Sequence, residues 1–122
     1  MSVPQIIALC VTEIIGDFGY KWFAEKGGII PFAIGTVGYI GVVTMLIVAL
    51  QGSTILMVNG AWDGISGLLE STAAFVFLGE RFHHPLQYLG LLMIAAGLYF
   101  LKIPLNKKHE FVMPTLFHSL LK

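Results

Sequence analysis

Four acidic residues stand where acidic residues are costly. Glu13, Asp17, Asp63 and Glu70 each lie inside a long apolar stretch, and they are four of the seven acids in the chain. An acid at the centre of a bilayer costs at least about 2.5 kcal/mol on insertion scales. Such residues must face an interior, pair with a cation or carry a proton. Their spacing predicts a shared interior. Glu13, Asp17 and Lys21 recur every four residues and so share one face of a helix. Asp63 and Glu70 are seven apart on a second helix, with Ser66 between them and Asn59 four residues before Asp63. Two polar stripes on two helices imply one polar cavity lined by both. Lys21 is the only base near this depth, so the cavity is expected to be electronegative. A carboxylate without a cationic partner in apolar surroundings holds its proton more tightly. One that trades that proton for a cation performs the chemistry of proton-coupled cation transport. Plainer roles exist for two of the acids. Asp17 could reach the interface beside Lys21, and Glu70 could hydrogen-bond a neighbouring helix in its protonated form.

The elements that must position these residues follow from composition. The chain has 122 residues, of which 57% are hydrophobic and 11% charged. Soluble domains are usually about 25% charged, so an ordinary soluble fold is excluded in favour of a small all-α integral membrane protein. The seven bases and seven acids cancel. No basic face suggests nucleic-acid binding. The single Cys10 excludes an internal disulfide framework and a cysteine-based zinc site.

Charges and turn residues mark four predicted spans, at about 4–22, 29–50, 54–78 and 86–102. No charge occurs between Gly27 and Trp62. That run is too long for one crossing of about 20 residues, and Gln51-Gly52-Ser53 is the expected break. The first span is read as retained and not as a signal peptide, because Glu13 and Asp17 interrupt it and no basic leader or small-residue cleavage site is present. Glu25-Lys26-Gly27-Gly28 and Gly79 to Pro85 are the other expected connections. Short connections make neighbouring spans antiparallel. Residues 1–103 form the four-helix transmembrane domain on this reading. The remainder, 104–122, with Lys107, Lys108, His109 and His118, is either a short amphipathic interfacial helix or a weakly ordered tail. Basic residues are nearly balanced between the two sides, so the positive-inside rule does not choose an orientation.

Glycines and aromatics add contacts. Gly60 and Gly64 form a small-xxx-small pair that permits close helix approach. Gly90 and Gly97 lie one heptad apart on one face of the last span, a candidate helix contact between subunits. Tyr39 and Trp62 fall at mid-membrane and are candidate cation–π partners, whereas Tyr20 and Trp22 are expected in the interfacial aromatic belt. His83-His84 reads as a solvated pair. No nucleophile–base pair, phosphate loop or metal motif appears. The chain is therefore read as no enzyme, with no cofactor and no resident metal.

These residues resemble a known family. Glu13-Ile14-Ile15-Gly16, with Lys21 eight residues after the acid, resembles the first helix of small multidrug resistance transporters. Tyr39 and Trp62 match the spacing of that family's site aromatics, and Gly90 and Gly97 its fourth-helix dimerisation heptad. Leu78-Gly79-Glu80-Arg81, Tyr88-Leu89-Gly90 and Ala96-Gly97 are similar to the wider drug/metabolite transporter superfamily. The resemblance covers roughly residues 5–103. It implies an antiparallel homodimer in the cell (inner) membrane, in which two copies of Glu13 bind either protons or a cationic substrate in alternating access. Asn59 stands where many members carry tyrosine. Asp17, Asp63 and Glu70 are additional acids, which suit a polyamine or other multiply charged cation, extra protons or a metal cation. The expected substrate and proton site is thus Glu13, Asp17, Tyr39, Asn59, Trp62, Asp63, Ser66 and Glu70, within a multi-pass proton-coupled exporter. A non-transporting accessory subunit and a small cation channel are the alternatives.

Overall fold

A computed structural model describes residues 1–105, and the expectations for the tail beyond them lie outside the described residues. The described chain is all-helical. Its elements are α1 (Val3–Lys26), α2 (Ile29–Leu50), α3 (Ile55–Phe77) and α4 (Pro85–Leu101). Each boundary has a local cause. Pro4 occupies the first turn of α1, where a missing N–H costs nothing. Gly27 and Gly28 take φ of 67° and 103°, values that L side chains avoid, and alone reverse the chain into α2. Thr54 caps α3 by accepting the Met57 N–H at 3.1 Å. His84 caps α4: its Nδ1 accepts the Leu86 N–H, and its own N–H donates to Gln87 Oε1.

Two features differ from the sequence reading. Helix α1 runs on through Glu25 and Lys26, which were expected in the connection. Both are good helix formers, Glu25 pairs with Lys21 one turn earlier at 3.5 Å, and Lys26 sits at the negative end of the helix dipole. The second difference concerns crossing a membrane. Of the four helices expected to span, α1 and α2 are long and apolar enough to do so. Helix α3 has 23 residues, but Asn59, Asp63, Ser66 and Glu70 dilute its apolar character. Helix α4 is apolar with 17 residues, about 25 Å of rise against a core of about 30 Å.

Packing runs outward from α1. Helix α2 lies against it along much of its length, α3 crosses it, and α4 rests on α3. The α1–α2 contact is a seam of glycines. A Cβ placed on Gly38 would meet the Gly16 Cα at 2.6 Å and the Thr12 carbonyl oxygen at 2.9 Å. Such proximity is available only between residues without side chains. The apolar core gathers at one end of the bundle: Ile6, Leu9 and Cys10 of α1, Val42 and Ala49 of α2, Val58 and Ala61 of α3. The same end is tied by the Val3 N–H, which donates to the Pro104 carbonyl at 2.8 Å. Helix α4 buries no residue.

The seam predicts the sign of one substitution. Alanine at Gly38 gains about 1 kcal/mol of helix propensity, but its methyl group meets backbone that cannot move aside, and overpacking costs about 1–3 kcal/mol. Gly38→Ala is expected to lower stability against denaturant in detergent. Gly67→Ala, where a Cβ meets nothing within 4 Å, is expected to raise it.

Candidate functional site

The glycine seam places the first polar pair. With no side chain on Gly16, the Tyr39 ring of α2 lies directly over α1, where a Cβ would meet its Cδ2 at 2.5 Å. From there the Tyr39 hydroxyl donates a hydrogen bond to Asp17. The ring is backed by Tyr20, stacked at 5.5 Å between centroids and 15° between planes. Tyr20 in turn shares a hydrogen bond of 3.0 Å with the Thr36 hydroxyl of α2. Tyr20 thus links α1 to α2, and Trp22 is 46% exposed.

The second pair joins α1 to α3. The Ser66 hydroxyl, 7% exposed, donates to Glu13. Glu70, one turn beyond Ser66, brings its carboxylate to the same place. One oxygen each from Glu13, Asp17 and Glu70 lie within 4.8 Å of one another, and all three residues are half-buried. The Trp62 indole turns toward Glu13, and its Nε1 is buried without a hydrogen-bond partner among the described residues. Lys21, the base expected near this depth, does not neutralise the group. It pairs with Glu25 at 3.5 Å and Glu80 at 3.2 Å, at the outer end of α1. Asp17 is thus held by Tyr39 and not by Lys21.

Five of the eight expected site residues therefore converge: Glu13, Asp17, Tyr39, Ser66 and Glu70. Trp62 stands beside them. Asn59 and Asp63 do not join them; both are exposed on α3. The polar stripe expected on α3 is covered in part: Ser66 is buried and Glu70 half-buried, whereas Asn59 and Asp63, nearer the start of the helix, are exposed. Gly90 and Gly97 face open space, since a Cβ on either would meet nothing within 4 Å. Sequence reasoning missed the role of Thr36 and Tyr20, for which only the i, i+4 placement of Gly16 and Tyr20 on one face of α1 was a signal.

A cavity of about 650 Å³ opens beside the acids. Asp17 and Glu70 form its acidic floor, with Phe18, Phe75, Leu78 and Leu91 among its apolar walls. That volume suits a small organic molecule. The three clustered oxygens are close enough to contact one cation, either an ammonium group or a metal ion bound through oxygen ligands.

A double-mutant cycle measures the α1–α3 link. Ser66→Ala and Glu13→Gln, alone and together, are expected to show a coupling of about 0.5–3 kcal/mol in unfolding free energy. Asp63→Asn combined with Ser66→Ala is expected to be additive.

No family model, curated protein or solved structure matches the chain.

Proposed function

We propose that the chain is a multi-pass membrane protein that carries organic cations across the cell (inner) membrane in exchange for protons. The observation that carries this reading is the convergence of Glu13, Asp17 and Glu70 beside a cavity that Asp17 and Glu70 line, with no cationic side chain paired to them among the described residues. Carboxylates so placed satisfy one another's charge poorly. Each can be relieved by a proton or by a cation, and not readily by both, which is the exclusivity that exchange requires.

Surface composition supports the membrane setting. Helix α2 exposes Ile29, Val37, Ile40 and Val43 at 60–77%, and α4 exposes Leu92, Met93, Tyr99 and Phe100 at 67–80%. Apolar surface of this extent is stable in lipid or against another chain. The open glycine face of α4 at Gly90 and Gly97 offers close backbone approach to a second copy, and the similarity of Glu13–Gly16 and the glycine heptad to small multidrug resistance transporters favours an antiparallel homodimer. The acids beyond Glu13 favour a multiply charged cation such as a polyamine. A second reading, transport of a divalent metal ion, is favoured by the 4.8 Å clustering of three carboxylate oxygens.

Transport into proteoliposomes under a pH gradient tests the mechanism. Wild-type protein is expected to accumulate an organic polycation and to lose this activity entirely in Glu13→Gln, while Asp63→Asn retains most of it. Coupled transport unimpaired in Glu13→Gln would sink the proposal. Uptake of a divalent metal in place of the polycation would favour the second reading. For the homodimer, Gly97→Leu is expected to leave helix content unchanged and to shift the detergent-solubilised protein from dimer to monomer by light scattering.

A further inference from the structure

The mouth of the cavity holds two contacts that the acidic floor does not use. After Gly79, at φ of 67°, the chain presents Glu80 and Arg81 in succession at the mouth. They point to different partners. Glu80 receives Lys21 of α1 at 3.2 Å. Arg81 folds back over α3, its guanidinium carbon 3.5 Å from the centroid of the Phe75 ring. Its Nη1 also donates to the carbonyls of Phe75 at 2.9 Å and Glu80 at 2.7 Å.

In both contacts a cation of the chain occupies a group that would hold a foreign cation equally well. One is an aromatic face, the other a carboxylate. Neither contact is strong. The side chains of Lys21 and Glu80 are 47% and 50% exposed, and exposed ion pairs and exposed cation–π contacts contribute little. They are exchangeable. The wall that Phe82 and Tyr88 add to the mouth is firmer, with their rings edge-to-face at 5.0 Å and the Phe82 N–H donating to the Tyr88 hydroxyl at 3.3 Å.

We propose that Phe75 and Glu80 form an outer binding site for an organic ammonium ion at the cavity mouth, occupied in the free protein by the chain's own Arg81 and Lys21. The site rests on reading the cavity as a route for cations. An arriving ammonium takes the Phe75 face from Arg81 and the Glu80 carboxylate from Lys21. The Arg81–Phe75 contact and the Lys21–Glu80 ion pair are then released together, while the Phe82–Tyr88 contact still holds the α3–α4 connection. The way opens to Asp17 and Glu70, which line the same cavity. Phe18 and Leu78 at the same cavity favour apolar substituents on the ammonium nitrogen. Arg81 thus acts as an internal competitor: it keeps the aromatic face covered until a better-fitting cation arrives.

Thiol labelling tests the site without requiring transport. Ser71 lines the cavity, so Ser71→Cys reports on entry, and protein lacking that change gives the background from buried Cys10. Two methanethiosulfonate reagents are compared, one bearing trimethylammonium and one neutral. Arg81→Gln is expected to raise the cationic-to-neutral labelling ratio by about two- to fivefold, the range of one exposed cation–π contact. Adding Phe75→Leu to Arg81→Gln removes most of that gain. Phe75→Trp in otherwise native protein holds Arg81 more firmly and lowers the ratio. An unchanged ratio in Arg81→Gln overturns the site. So does a gain that survives Phe75→Leu in full, since that gain is long-range charge alone. If Arg81→Gln does not fold, an unchanged or raised ratio in Phe75→Trp overturns it. Labelling that follows the expected pattern in protein that moves no cation would leave the outer site standing and remove the transport reading.

Discussion

Helices α1 and α2 meet backbone to backbone, and the polar interior depends on that closeness. A single methyl group on Gly38 would lie among the Gly16 backbone atoms, and one on Gly35 would enter the Tyr20 ring. The seam therefore does more than pack two helices. It lowers the Tyr39 ring onto α1, where the hydroxyl reaches Asp17, and it seats Tyr20 between Thr36 and Tyr39. Membrane helices gain little from burying apolar surface against one another, since lipid is equally apolar; close van der Waals contact and interhelical hydrogen bonds take that role. Here both come from the same few residues.

Charge is distributed radially and along the bundle. The acids Glu13, Asp17 and Glu70 gather within α1 and α3, each helix supplying a hydroxyl or a carboxylate to the other's stripe. The bases that border the cavity, Lys21 and Arg81, are turned to its rim and engaged there. Zero net formal charge thus conceals an acidic floor under a rim where Lys21 and Arg81 stand beside Glu25 and Glu80. The apolar core lies at the opposite end, around Ile6, Leu9 and Val58.

Much of the fold was legible because its signals are local. The break at Gln51-Gly52-Ser53, the Pro31 start of α2 and the turn between Phe77 and Pro85 all rest on residues whose backbone preferences act without neighbours. The connection at Glu25 was misjudged for the same reason in reverse. Charge there suggested a loop, whereas Lys21 and Glu25 pair along the helix and prolong it. On α3, four-residue and seven-residue spacing related Ser66 and Glu70 to the polar interior that they enter, and included Asn59 and Asp63, which are exposed. Periodicity reports which residues share a face of a straight helix. It does not report how far along that face a neighbouring helix covers it.

Sequence by itself determined that the described residues are helical, that they form four helices with short connections, and that the acids recur at spacings able to converge. Those properties follow from composition, punctuation and the 3.6-residue period, which need only the chain. Tertiary structure decided which acids meet, that Tyr39 and Ser66 hold them, that Lys21 serves the rim and not the floor, and that Arg81 covers Phe75. Those outcomes depend on how far one helix lies from another and at what crossing. That distance is set at Gly16, Gly35 and Gly38 by the absence of side chains, and an absence has no periodicity or charge by which its partner can be named in advance.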